Sequence, residues 1–600
     1  MPCALSVASS EPGGLHRAAA ALVRLLAAAT TSDDVTVCVG PGVHALHEPL
    51  ILTQAHTHPR GGRVVWDGAG ATLSGGAALD DAGWAPCAVD GSPCGGAPSG
   101  HAFDAWEGVH YHALNGTIPR QLWVRGRRAA RATVEGASLG LAATAAGYAT
   151  SANATAWVAD AVELRWPRQV RNWIEPRCVL SAVDGGNLTV EPMCWAAIVA
   201  RDGNGPPPPP GLVENVASLP PAPGAFVAMR GFVFYRPSAE EPYAAPTDAV
   251  VPVLESLVVV DGAANHSFAG LAFAHATWRQ PSRPGGYVPT QSAVTPLGEP
   301  PGAVGVAASA GVAFDNCTFS NLGTPYALSV GNASKDVSVA RCRFASLAGG
   351  AIKLGNVDDA RAVSAAAADR DAGFTVADNV VRDVALEFRG AAAIFAAYVR
   401  AATIEHNAIS NTGYTAVSLG WGWGTHVAGT QTWMADNHVV GNRIAGVVSA
   451  LNDGGCVYTL GPQPGSTVRG NYCDSDRAPV VGSFYHDNGS RYFNTTDNVA
   501  SASPAPCLFL QGCCGAPALD IAVSGVWCRN EGAVRNDCAA GAANCSAAYA
   551  GAAPADCGCR VDDVAVVDPG APWPAAARAV VDAAGPRSRS SGAHFFGGRS

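Results

Sequence analysis

Lysine is almost missing from this chain: Lys335 and Lys353 are the only two in 600 residues. Charged residues make up 14% of the whole, the formal charge is −10, and no basic run or patch occurs. That excludes the electrostatic footprint of a nucleic-acid binder. The excess of alanine and arginine over lysine reads as codon bias rather than function. No apolar run reaches the ~20 residues of a membrane span. The nearest, 18–29, is shorter and carries Arg24; it reads as an amphipathic helix capping the fold. No cysteine or histidine spacing suits zinc, so neither a metal nor a cofactor is expected. Low charge and abundant glycine leave no room for a chain built of long solvated helices.

What the sequence does have is cysteine. There are 18, and they cluster: Cys87 with Cys94, Cys178 with Cys194, Cys456 with Cys473, and eight between Cys507 and Cys559. Local clustering without a metal pattern reads as disulfides formed in an oxidising compartment. Nine N-x-S/T triplets, from Asn115 to Asn544, agree with export. The N-terminus carries no charged, apolar and cleavage regions in order, so either the start lies elsewhere or export takes another route. A secreted, extracellular and monomeric protein is expected.

Length alone would suggest about four domains, but a repeat grows by stacking and not by adding cores. From residue 251 an apolar residue is followed three positions later by a recurring turn residue, then two later by another apolar residue. The frames are F-A-G-L-A-F (268–273), F-D-N-C-T-F (314–319), V-A-R-C-R-F (339–344), V-A-D-N-V-V (376–381), I-E-H-N-A-I (404–409), M-A-D-N-H-V (434–439), V-R-G-N-Y-C (468–473) and a weaker T-T-D-N-V-A (495–500). The turn positions are Leu271, Cys317, Cys342, Asn379, Asn407, Asn437, Asn471 and Asn498. Asparagine tolerates left-handed turns, and its amide can bond to the next asparagine in a stack. Cys317 and Cys342 hold successive positions, so a disulfide and a pair of buried thiols are both open. A second strand follows each frame, as in A-I-K-L-G (351–355), A-V-S-L-G (416–420), C-V-Y-T-L-G (456–461) and G-S-F-Y-H-D (482–487). Its outward residues line an exposed face suited to a chain-like ligand.

The expected fold is therefore all-β: a right-handed parallel β-helix solenoid with an inserted β-rich module and a Cys-rich C-terminal cap. The cap and first coils fall in 1–76. The inserted module, sandwich-like and crossed by the polyproline run 206–210, occupies 77–250. The groove-bearing solenoid takes 251–500, and the Cys-rich segment with a terminal helix takes 501–600. Arg125, Arg127, Arg128 and Arg131 in the module read as surface charge and salt bridges.

The stretch 411–498 carries the chemistry. Asp453, in N-D-G-G, and Asp487, in H-D-N-G, are one coil apart in this register, so both can face one substrate. Two carboxylates across a groove can cleave a glycosidic bond, one protonating the leaving oxygen and the other attacking the sugar or activating water. The competing reading is two ordinary turn aspartates. Trp421 and Trp423, in a glycine-rich loop one coil earlier, can serve as platforms for sugar rings. Tyr458, Gln463, Tyr485 and His486 can bond to hydroxyls, and Glu387 is a reserve carboxylate. Packing under loops is the alternative role for each.

These motifs carry a family resemblance. R-Q-L-W-V-R-G-R-R-A-A-R-A (120–132), V-L-E-S-L (253–257), S-L-G-W-G-W-G (418–424), N-D-G-G-C-V-Y-T-L-G-P-Q-P-G-S (452–466), Y-H-D-N-G-S (485–490) and the W-P-A-A-A-R tail make the chain resemble glycoside hydrolase family 141, within the pectin-lyase-like superfamily. The resemblance covers most of the chain and implies secreted carbohydrate-active enzymes, with α-L-fucosidases and xylanases among relatives. It places the family's paired acidic positions on Asp453 and Asp487. The expected function is cleavage of cell-wall, plant or algal polysaccharide, with a polysaccharide or oligosaccharide as partner. The alternatives are a lyase or epimerase on the same scaffold, which would want Ca²⁺ and a base such as Lys353, and a non-catalytic surface adhesin.

Overall fold

The computed structural model describes residues 2–587 except 88–92, 97–105, 117, 204, 217–219, 242–244, 365, 424–430, 475–480, 502–504, 513–515, 530–533 and 539–557. Cys513, Cys514, Cys545, Cys557 and the Asn544 triplet lie outside the described residues.

Short strands of two to six residues alternate inward apolar and outward polar positions, so each coil buries one face of every strand. Stacked coils form three parallel sheets of thirteen, twelve and eleven strands. Together they make a right-handed parallel β-helix, the hand that crossover connections favour. The interior is a set of ladders. Phe268 stacks on Phe314 at 4.9 Å, and Phe319 stacks on Phe273 at 4.8 Å and on Phe344 at 4.7 Å. Ile352, Ile394, Val417, Val457, Phe484 and Leu508 continue a second interior row.

The strand Val64–Asp67 pairs directly with His266–Ala269. Between them Ala71–Ser74 and Val258–Asp261 keep their places in the other two sheets, and the chain leaves the stack only between those two strands. Gly76–Leu79 and Ala249–Pro252 pair antiparallel at the neck of this excursion. Within it, three mainly antiparallel sheets of four, five and seven strands surround their own apolar clusters. The polyproline run is anchored there, its Pro208 carbonyl accepting from Tyr148 Oη and Trp166 Nε1, each at 2.9 Å.

The helix Gly14–Ala27 buries Leu15, Leu22 and Leu26 against the first coil. The apolar rhythm fades in the sequence after 500, but the sheets do not stop there. Ala522–Ser524, Val526–Cys528, Arg560–Val561 and Val564–Val566 extend two of them. The terminal helix Ala575–Ala583 lies on the flank of the second sheet, over Tyr472 and Val499.

Among the described residues there are six disulfides: Cys3–Cys38, Cys87–Cys94, Cys178–Cys194, Cys456–Cys473, Cys507–Cys528 and Cys538–Cys559. Cys317 and Cys342 are free buried thiols. They do stack, with the Cys317 amide 3.4 Å from Cys342 Sγ, but Cys317 Sγ turns to the Phe268 carbonyl and Cys342 Sγ to that of Ala340, each at 3.3 Å.

The turn ladder runs Cys317, Cys342, Asn379, Asn407, Asn442, Asn471, Asn498. Each asparagine from 379 to 471 donates its amide NH₂ to the Oδ1 of the next at 2.9–3.0 Å. Asn442 therefore replaces Asn437 in the expected series. The strand pairing decides the point, because Ile404 sits opposite Val439 and Val439 opposite Val468. The true frame is V-V-G-N-R-I (439–444), which obeys the same spacing rule. Asn437 is buried in a neighbouring turn, where it accepts from the Ala402 amide at 3.0 Å.

Candidate active site

The outward row of the third sheet reads Ser329, Lys353, Phe395, Ser418, Tyr458, Tyr485, Phe509, one residue per coil. Aromatic residues suit a pleated surface where each side chain lies over its cross-strand neighbour. Tyr485 stacks on Phe509 at 4.8 Å and meets Tyr458 edge-on at 5.1 Å.

Two carboxylates border this buried aromatic row. Asp487 directly follows the strand Phe484–His486, and its amide donates to the Thr459 carbonyl at 3.1 Å. Asp453 lies in the turn before the preceding strand, Val457–Thr459, with φ 62°, a left-handed conformation that aspartate tolerates better than most residues. The two glycines after it are there for space. A Cβ on Gly454 would lie 2.5 Å from Thr415 Oγ1, and one on Gly455 would lie 2.1 Å from the Gly482 carbonyl oxygen.

Tyrosines tie the two aspartates together. Tyr458 Oη donates to Asp487 Oδ2 at 2.5 Å. Tyr485 Oη donates to Asp453 Oδ1 at 3.2 Å. Asp487, only 6% exposed, is pushed up to about 6, first by burial and next by the charge of Asp453, against the hydrogen bond from Tyr458 that holds it down. Burial also raises Asp453, opposed by the bond from Tyr485. Both groups thus favour the protonated form more than free carboxyls do.

The sequence reading missed several residues here. Tyr414 Oη donates to the Asp453 carbonyl at 2.7 Å and accepts from Gln291 Nε2 at 3.2 Å. The Asn452 amide donates to the Asn172 carbonyl of the inserted module at 3.0 Å, and Asn452 Oδ1 receives the Asp453 amide at 2.7 Å. The module thereby holds the turn that presents Asp453. Tyr414 stood in the N-T-G-Y motif and could have been named. Asn172 and Gln291 come from distant loops and carry no local signal.

Four of the expected substrate contacts lie elsewhere. His486 points into the coil, because Tyr485 points out and strand residues alternate. Its ring bonds to Thr459 Oγ1 and Thr495 Oγ1, both at 2.8 Å, and burial pushes it down to about 3. Gln463 is buried in a turn, accepting from Asn437 Nδ2 and donating to the Leu460 carbonyl, each at 2.9 Å. Trp421 is buried in an aromatic cluster with Phe395, Tyr326 and Tyr287 over the neighbouring coils, so neither ring face is open to a sugar. Glu387 is locked among Arg120, Arg128 and Gln121 at the junction with the module, which holds it down to about 2. Trp423 is half-buried and packs against the cluster of Tyr458, Leu460, Tyr485 and Phe509.

Lys353 does turn outward from the sheet but is 1% exposed, with its ammonium 2.7 Å from both Glu299 Oε2 and the Gly355 carbonyl. Arg125 and Arg127 are surface residues, whereas Arg128 and Arg131 turn into the junction. Among the described residues, no three His, Cys, Asp or Glu side chains gather as a metal site, and no helix is long and apolar enough to cross a membrane.

Neither a known family profile nor any curated protein matches the sequence. Solved structures do. One described as a glycoside hydrolase superposes with a TM-score of 0.66 at 19% identity, covering 98% of this chain and 99% of that one. A complex of XylC with xylose gives 0.46 at 12% identity, covering 88% and 76%. The exopolygalacturonase of Thermotoga maritima gives 0.31 at 10% identity, covering 89% of each chain. The likeness to the first of these runs over nearly the whole of both chains and shows a shared fold.

Proposed function

We propose that the chain is a glycoside hydrolase acting on polysaccharide or oligosaccharide, with Asp487 as the general acid and Asp453 as its partner carboxylate. The observation that carries this reading is a crossed pair of hydrogen bonds: Tyr458, on the strand after Asp453, donates to Asp487, and Tyr485, on the strand before Asp487, donates to Asp453. A pair of turn residues with only local roles would have no reason to bond across to each other's coil. Glycosidases hold such carboxyls about 5–5.5 Å apart for retention and about 6.5–9.5 Å for inversion. Asp487, the more buried and pushed up to about 6, keeps a proton for the leaving oxygen at mildly acid pH. Asp453 then attacks the anomeric carbon or takes a proton from water. Trp423, Tyr458 and Tyr485 form the apolar side of the site.

The lyase or epimerase alternative is weakened by Lys353, the expected base, whose ammonium is already bound to Glu299 under a covering loop. The family resemblance supports a secreted enzyme, as do the six disulfides among the described residues.

The test is a screen of plant and algal polysaccharides and aryl glycosides for released reducing sugar, repeated with Asp453→Asn and Asp487→Asn. On any substrate the wild type hydrolyses, each variant should lose roughly 10³-fold or more in kcat while keeping a cooperative unfolding transition. Retention of activity within a few-fold by either variant overturns the assignment. Saturable sugar binding without turnover favours the adhesin.

A further inference from the structure

The junction between the inserted module and the solenoid holds more positive than negative charge. Arg120, Arg128, Arg131, Arg165 and Arg177 come from the module and Arg389 from the solenoid. They meet Glu163, Glu175, Glu214 and Glu387 in one network, with contacts such as Arg120–Glu387 at 2.6 Å, Arg165–Glu175 at 2.7 Å, Arg177–Glu214 at 2.9 Å and Arg389–Glu175 at 3.4 Å. Six guanidiniums against four carboxylates leave two positive charges with no counter-charge among the described residues.

A buried charge is costly unless it is paired. Here the surplus faces open space. Arg120, Arg128, Arg131, Arg165, Arg177 and Arg389 all line one cavity of about 330 Å³. Arg120 Nε, Arg128 Nη1, Arg131 Nε and Arg177 Nε are buried donors with no hydrogen-bond partner among the described residues. Leu386, 43% exposed, stands at its mouth. Through Leu386 and Arg389 the cavity continues into a wider cleft of about 770 Å³ that Arg168 also lines.

We propose that this cavity is an oxyanion site, taking a carboxylate or sulfate group beside Arg128 and Arg389. Planar guanidiniums bind such groups through paired N–H donors and remain charged at any working pH. The site uses none of the residues of the aspartate pair and stands or falls independently of the hydrolase reading.

The experiment is thermal unfolding of the intact protein in sodium sulfate and in sodium chloride at matched ionic strength, followed by titration with a uronate disaccharide. Sulfate stabilises most proteins by exclusion from their surfaces, so the diagnostic is a saturable upward shift in Tm that two variants remove. Arg389→Gln deletes a lining cation. Leu386→Trp fills the mouth and keeps every charge. Each should weaken the apparent sulfate affinity roughly tenfold or more. If the uronate disaccharide saturates the site at lower concentration than sulfate, the anion arrives on a sugar; if sulfate binds more tightly, the ligand is the free ion. Equal responses to sulfate and chloride, or a sulfate response unchanged in both variants, overturn the proposal.

Discussion

The hydroxyl of Tyr485 reaches Asp453 Oδ1 at 3.2 Å from the neighbouring coil. It joins a carboxylate from a D-G-G turn to a strand of the third sheet. Tyr485→Phe should leave the fold intact and lower kcat roughly ten- to a hundredfold, because it removes the hydrogen bond that orients Asp453. That bond also holds Asp453 down, so the pH–rate profile of the variant should move to higher pH. A profile identical to that of the wild type would separate Tyr485 from the chemistry.

Asp487 links activity to stability. Its carboxyl sits at about 6 in the fold against an ordinary value near ~4. The fold therefore holds this proton more tightly than the unfolded chain does. The resulting stability is fully present below the ordinary value and is lost as pH rises through about 6. Asp487→Asn should raise stability by up to ~3 kcal/mol at pH 7.5 and by almost nothing at pH 3.5. Urea unfolding at the two pH values checks this. The wild-type kcat should fall over the same rise in pH, as the general acid loses its proton.

His486 and Asn442 belong to the interior. His486→Gln should leave KM unchanged and cost roughly 1–3 kcal/mol, the penalty for disturbing two buried threonine hydroxyls. Asn442→Ala should cost roughly 2–4 kcal/mol, since it strips the partners of the Asn407 amide and of two acceptors in the ladder. Chemical denaturation with steady-state kinetics on the same samples separates these effects from substrate binding.

Glu387 anchors the module. Arg120 and Arg128 hold its carboxyl down to about 2, so its contribution is present above the ordinary carboxylate value and is lost as pH falls towards about 2. Glu387→Ala should destabilise the protein by roughly 3–5 kcal/mol at neutral pH, because it leaves buried cations unpaired. In the folded fraction KM should not change. A rise in KM with unaltered stability would restore Glu387 as a substrate contact.

The coil architecture, the inward ladders and the aromatic row of the third sheet were all legible in the sequence. In a solenoid each coil meets only its neighbours, so spacing and alternation within about thirty residues carry the information. The same alternation that turns Tyr485 outward turns His486 inward, and the same spacing rule that selected Asn437 fits Asn442 better once Val439 is aligned with Ile404 and Val468. Tertiary structure alone decided which outward residues are open. Trp421 and Lys353 lie under loops, Glu387 meets arginines from the module, and Asp453 is held by Asn172 and Gln291 through Asn452 and Tyr414. Those partners lie far apart along the chain, on loops whose path depends on what they pack against, and no local pattern of residues encodes that meeting.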